Sequence, residues 1–168
     1  MAIEVVRIDD RLIHGQIVQG WLKVVEVNKI LLISNEVAED KMQQILLSMA
    51  MPSNIKLVIK NIKDASYELS NDVYDKDKLM ILFSNPQDIV KVLENGVKFK
   101  SVNVGGMHFS HGKTQILKNL SVDKQDVISF MKLIENNIEL ESRILPSDER
   151  HNIIEDINKQ ARAFEIIG

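Results

Sequence analysis

The stretch "RIDDRLIHGQIVQGWLK", residues 7–23, decides how the chain is read. An apolar run, "AIEVVRI" (2–8), stops abruptly at two aspartates, and "GQIVQGWLKVVE" (15–26) then takes up helical spacing. A strand hands over to a helix here, and the handover carries Arg7, Asp9, Asp10, Arg11 and His14. Both the fold class and the candidate site follow from that one junction.

The same strand–helix step recurs along the chain. "KILLIS" (29–34) reads as a second strand and "EVAEDKMQQILLSMA" (36–50) as a helix that ends before Pro52. "IKLVIK" (55–60) is a third strand, followed by a short helix over 62–70. "KLMILFS" (78–84) is a fourth. Pro86 suits the first turn of the next helix and Gly96 its C-terminal end. "KSVNVGG" (100–106) is a fifth strand. A polar segment, 107–120, leads to a helix over 124–137 capped by Ser121 or Asp123. "IELESRIL" (138–145) alternates apolar and polar residues like an edge strand, and Pro146, Ser147 and Asp148 then start a last helix. Alternating β and α with near-continuous apolar strands means a parallel sheet covered on both faces. With no repeat, low-complexity tract or linker, residues 1–168 read as one domain.

Composition narrows the function. The 168 residues are 45% apolar and 27% charged with net charge −3, which disfavours nucleic-acid binding by bulk charge. No cysteine is present, which excludes thiol chemistry and fits a reducing, cytosolic setting. No apolar run approaches the ~20 residues of a membrane span, so any service to a membrane process runs through a partner.

In parallel α/β sheets, ligands bind beyond the carboxyl ends of the strands, where "DDRLIH" lies. Gly15 allows a turn without a Cβ clash. The following helix presents free N–H groups and its positive dipole end to the same loop, which favours anions. Arg11 supplies a guanidinium able to hold two phosphate oxygens. A free imidazole titrates near ~6.5, so a histidine here is substantially neutral and nucleophilic. His14, Arg11 and a helix N-terminus together suit a transferred phosphoryl group. Asp9 or Asp10 either hydrogen-bonds one ring nitrogen or clamps Arg11. The bland reading uses the same residues: a loop histidine satisfying a backbone group, and Asp-Asp-Arg as a cap with a surface ion pair. No dinucleotide or P-loop fingerprint occurs. His108 and His111 are three apart but sit in a glycine-flanked loop without cysteine, so no metal and no cofactor is expected. Trp21 and the scattered methionines read as packing residues, and His151 as solvated.

The motif "RIDDRLIHGQIVQGW" resembles the strand–loop–helix signature of the IIB component of the mannose/fructose/sorbose-type bacterial sugar phosphotransferase system. "ISNEVAED", "LFSNPQDIVKVLENGVKFKSVNVGGMHFSHGKTQI", "SVDKQDV" and "NIELESRILP" agree in order, over about residues 2–150. The resemblance implies a three-layer α/β/α fold with an open, mostly parallel sheet of about six strands, order 3-2-4-1-5-6, the last possibly antiparallel. It implies a phosphohistidine relay in which IIA gives a phosphoryl group to a histidine matching His14, at Nδ1. The group then passes to a sugar entering through the membrane IIC and IID components, the protein being cytoplasmic and peripheral to that permease. Arg11 and Gly15 become phosphate-stabilising and Asp9 and Asp10 orienting. The implied strand order puts Ser84, Asn85, Gly105 and Gly106 near His14, with Lys113 a further cation expected close behind them. "HFSHGK" departs from the pattern, with Ser110 and His111 where relatives commonly carry a basic residue. A regulatory or docking module of the same fold, and a phosphatase using His14, are the competing readings. The motif favours the carrier, and no spare base for water favours it over the phosphatase. Neither the sugar nor the oligomeric state, homo-oligomer included, is set by the sequence.

Overall fold

The computed structural model describes residues 1–167. Strands β1 (Ala2–Asp9), β2 (Lys29–Ile33), β3 (Lys56–Lys60), β4 (Lys78–Phe83), β5 (Ser101–Gly106), β8 (Glu139–Ser142) and β9 (His151–Asn152) form one sheet, in the order β3-β2-β4-β1-β5-β8-β9. A separate hairpin joins β6 (Thr114–Leu117) to β7 (Leu120–Val122), starting within the polar segment 107–120 expected to be a loop and running past its end. The expected order is present, with two corrections. The sixth strand of that order, β8, pairs parallel to β5, and the antiparallel edge is the two-residue β9 beyond it.

Period-two alternation sorts the strand side chains into two cores. Leu31, Ile33, Ile81, Phe83, Val102 and Val104 face helices α4 (Ile62–Ser70), α5 (Pro86–Glu94), α6 (Lys124–Glu135) and α7 (Ile154–Ala163). Ile30, Leu32, Met80 and Leu82 face the first helix, α2 (Asn35–Glu39) and α3 (Lys41–Ala50). Sheet and two helical faces make the three layers. The first helix is a π-helical segment, Gln16–Trp21, running into α1 (Leu22–Val24).

Helix ends follow local chemistry. The pattern over 36–50 splits in two because the Asp40 side chain accepts from Gln43 N at 3.0 Å and starts α3. Asp123, not Ser121, caps α6 in a reciprocal box with Asp126. Pro146, Ser147 and Asp148 remain in a loop, and α7 begins only at Ile154. Met42 and Met49 lie exposed on α3 rather than packed inside.

Candidate functional site

β1 lies between β4 and β5, so its carboxyl end opens where three strand-following loops meet. Asp10 N donates to the Gly106 carbonyl at 3.0 Å, tying the first loop to the end of β5. Leu12 turns the chain at φ +60°, a left-handed conformation that a leucine adopts at a cost of roughly 1–2 kcal/mol. Its side chain is buried beside Ile13, Ile17 and Trp21, which holds the turn in place. That turn directs His14 back over the end of β1.

The Nε2 of His14 lies 2.7 Å from Asp9 Oδ2. An ionised carboxylate only accepts, so Nε2 carries the proton that joins the pair, and in a neutral ring the lone pair then sits on Nδ1. Gln16 N, at the start of the helix, points at Nδ1 from 3.4 Å. The imidazole is partly exposed, and Asp9 beneath it is fully buried. Asp9 Oδ1 also accepts from Arg11 N at 3.2 Å. The exposed Arg11 guanidinium donates to the Gln16 side chain. His14, Arg11, Gly15, Gln16 and Lys23 line a cleft of about 700 Å³ closed on its far side by Leu145 and Pro146. Arg11 and Gln16 also border a second cleft, of about 390 Å³, against His108, Phe109 and Lys118.

The other expected residues lie as follows. Asp10 does not reach His14; its carboxylate holds His108, through N at 2.7 Å and Nδ1 at 2.6 Å. Gly15 has ordinary helical φ and ψ, and a Cβ added there meets nothing within 4 Å. No turn requires this glycine; its missing side chain leaves the cleft open next to the histidine. Asn85 caps α5 by accepting from Asp88 N at 2.9 Å and donates to Ser84 Oγ at 3.0 Å. Ser84 and Asn85 follow β4, the neighbour of β1, but these bonds stay within their own turn. A Cβ on Gly105 would lie 2.0 Å from the Arg7 guanidinium carbon, whereas one on Gly106 would make ordinary contacts with Asp9 and His108. Lys113 is not in the site: its Nζ donates to Asp126 at 2.8 Å, at the start of α6. Among the described residues, no cluster of three metal-ligating side chains occurs.

Sequence reasoning passed over the polar layer beneath His14. Arg7 on β1, Asn103 on β5 and Glu141 on β8 are register partners across three parallel strands, and all are buried. Arg7 donates to Asn103 at 2.7 Å and Asn103 to Glu141 at 3.0 Å, while Arg143 closes on Glu141 at 2.9 Å. Trp21 donates its Nε1–H to the Ile144 carbonyl at 2.9 Å. Burial lowers the Arg7 pKa and the neighbouring Asp9 charge opposes that shift. The available signal was a polar residue between apolar neighbours in each of three strands: Arg7 in "VVRID", Asn103 in "SVNVGG" and Glu141 in "IELES".

Residues 3–165 match the family described as the PTS system sorbose subfamily IIB component. The chain is 39% identical over 155 residues to the fructose-specific EIIB component of Bacillus subtilis, covering 92% of this chain and 95% of that one. It is 40% identical over 159 residues to the mannose-specific EIIAB component of Escherichia coli, covering 95% of this chain but 49% of that longer protein. The crystal structure of the IIBSor domain of the sorbose permease from Klebsiella pneumoniae superposes with a TM-score of 0.89 at 35% identity, covering 96% of this chain and 99% of the domain. Sequence match and superposition both run through the whole sheet and the loop that carries His14, and the chain therefore belongs to the sorbose-subfamily IIB components of the sugar phosphotransferase system.

Proposed function

We propose that this chain, acting as one IIB unit, accepts a phosphoryl group from a IIA component on His14 Nδ1. It then passes the group to a sugar entering through membrane IIC and IID components. The observation that carries this reading is the His14–Asp9 bond of 2.7 Å, which leaves Nδ1 unprotonated beside Arg11 and a helix start, its lone pair met only by the long contact from Gln16 N at 3.4 Å. Nδ1 attacks phosphorus as the bond to the donor atom breaks, and the donor keeps that electron pair. In the second step a sugar hydroxyl oxygen attacks as the bond to Nδ1 breaks, the electron pair returning to Nδ1 and the hydroxyl proton passing to solvent. Arg11 and the backbone N–H groups of the helix start balance phosphoryl charge in both steps. Fusion of IIA and IIB in the E. coli relative's name supports a IIA donor. Among the described residues no helix is long and apolar enough to cross a membrane, which suits a component at the cytoplasmic face of a permease.

The test is phosphorylation with phosphoenolpyruvate, enzyme I, HPr and the IIA partner, followed by mapping of the modified residue. Label is expected on His14 alone. Label on His108, His111 or His151 with His14 bare would overturn the assignment.

A further inference from the structure

Arg7 takes no part in the steps above, yet it is the charged group most deeply built into the site. Its side chain is fully buried. Nη2 donates to Asp9 Oδ2 at 2.9 Å, the same oxygen that accepts from His14 Nε2 at 2.7 Å. Nη1 donates to Asn103 Oδ1 at 2.7 Å and to the Arg143 carbonyl at 3.1 Å, and Nη2 also reaches the Ile144 carbonyl at 3.2 Å. The guanidinium carbon lies 5.0 Å from the Trp21 ring centroid, within cation–π range, and Gly105 supplies the space it occupies. Four groups, Asn103, the Arg143 and Ile144 carbonyls and the Trp21 ring, thus fix one cation against the single carboxylate oxygen that also holds the imidazole.

We propose that Arg7 is a positioning residue which, through Asp9, keeps the His14 imidazole neutral with its proton on Nε2, so that Nδ1 stays free to accept the phosphoryl group. The proposal rests on the reading of His14 as the acceptor. With Arg7 present, the buried pair beneath the ring sums to zero charge and does not draw a second proton onto it. Without Arg7, Asp9 would be a lone buried anion, and the nearest group able to neutralise it is the imidazole, which would take that proton at Nδ1. The other charges facing the ring do not replace Arg7. Arg11 and Lys23 are exposed, Asp10 is occupied by His108, and Glu141 is closed by Arg143, with Arg150 beyond it.

The test compares Arg7→Gln and Arg7→Lys with the unaltered protein. The readout is the rate of phosphoryl acceptance from phosphorylated IIA as a function of pH. In Arg7→Gln, which keeps hydrogen-bond donors but no charge, the rise of rate with pH is expected to move up by about one unit. Acceptance is then roughly tenfold slower at mildly acid pH and recovers in mild alkali. Arg7→Lys, which restores the charge, should return the profile toward its original position. A uniform drop at every pH, with the profile unmoved in a variant whose circular dichroism and denaturation midpoint show it folded, would reduce Arg7 to a structural role and overturn the proposal. If neither variant folds, NMR of the imidazole nitrogens in the unaltered protein decides: a proton on Nε2 at neutral pH is expected, and one on Nδ1 refutes the proposal. An unlabelled His14 in the unaltered protein would instead defeat the carrier reading itself.

Discussion

At the scale of single residues, the guanidinium of Arg11 separates two clefts and leans on Gln16 at the helix start. A lysine there keeps the charge but loses the planar two-point grip on phosphoryl oxygens. Arg11→Lys is expected to slow transfer by the equivalent of roughly 1.5–3 kcal/mol, one charge-assisted contact. Quench-flow transfer from IIA measures this, and rates within twofold of the original would refute it. His14, Arg11 and the two aspartates stood out in the sequence because charge is rare at the end of an apolar strand. Arg7 stood among them but carried no role, because a polar residue inside a strand reads as an outward-facing position until the neighbouring strands are in register. The aspartates could not be told apart by sequence either. Asp9 continues the buried face of β1, while Asp10 alternates outward and finds His108.

At the scale of elements, the glycines that end β5 show how a strand makes room for chemistry on its neighbour. Gly105→Ala would put a methyl group 2.0 Å from the Arg7 guanidinium carbon, between backbone and a cation held on several sides. Overpacking of this kind costs about 1–3 kcal/mol, and displacing Arg7 would also disturb Asp9. Gly105→Ala is therefore expected to lower the denaturation midpoint and impair phosphoryl acceptance, while Gly106→Ala, with no Cβ neighbour nearer than 3.5 Å, leaves stability nearly unchanged. Equal effects of the two substitutions would contradict the packing argument.

A second element-scale expectation concerns the opposite end of the sheet. There Asp77, just before β4, accepts from Lys29 of β2 and from Asn28 Nδ2 at 3.0 Å. The Lys29 hydrogen bond holds the Asp77 pKa below the ordinary carboxylate value. A carboxylate whose folded pKa is depressed stabilises the fold above its unfolded value, about 3.9, and that contribution vanishes as pH falls through the folded pKa. Asp77→Asn should thus be less stable at neutral pH, by no more than about 1 kcal/mol, and converge with the unaltered protein in acid. Urea melts across that range measure it, and a gap that widens on acidification would show the sign to be wrong. Long apolar strands and well-signalled helices were legible in sequence. The break at Asp40, the π-helical turn and the late start of α7 were not. The break turns on which of several polar side chains caps a backbone N–H, Asp40 taking Gln43 N, and Gly20 in the π-helical turn packs under Leu145, a contact that only the folded chain brings together.

At the scale of the whole molecule, the strand order makes the relay arrangement intelligible. Its core was legible through resemblance; β9 was not, because two residues carry no periodicity. With β1 in the middle, the polar layer Arg7–Asn103–Glu141 runs under the site, and both aspartates of the loop are already engaged. That engagement favours the proposed carrier over a phosphatase. Hydrolysis needs a base that faces the phosphorus and activates water. Asp9 is occupied by Arg7, His14 and Arg11 N, Asp10 by His108, and Glu141 by Arg143 and Asn103. A free carboxylate at that place would also repel the phosphoryl anion. The phosphorylated protein, purified away from IIA, is accordingly expected to persist at neutral pH, to lose its label in acid as a phosphoramidate does, and to discharge back to unphosphorylated IIA. Radiolabel retention against time and pH measures the first two, and back-transfer the third. Release of inorganic phosphate within seconds at neutral pH, with no acceptor present, would overturn the carrier reading and put a phosphatase in its place.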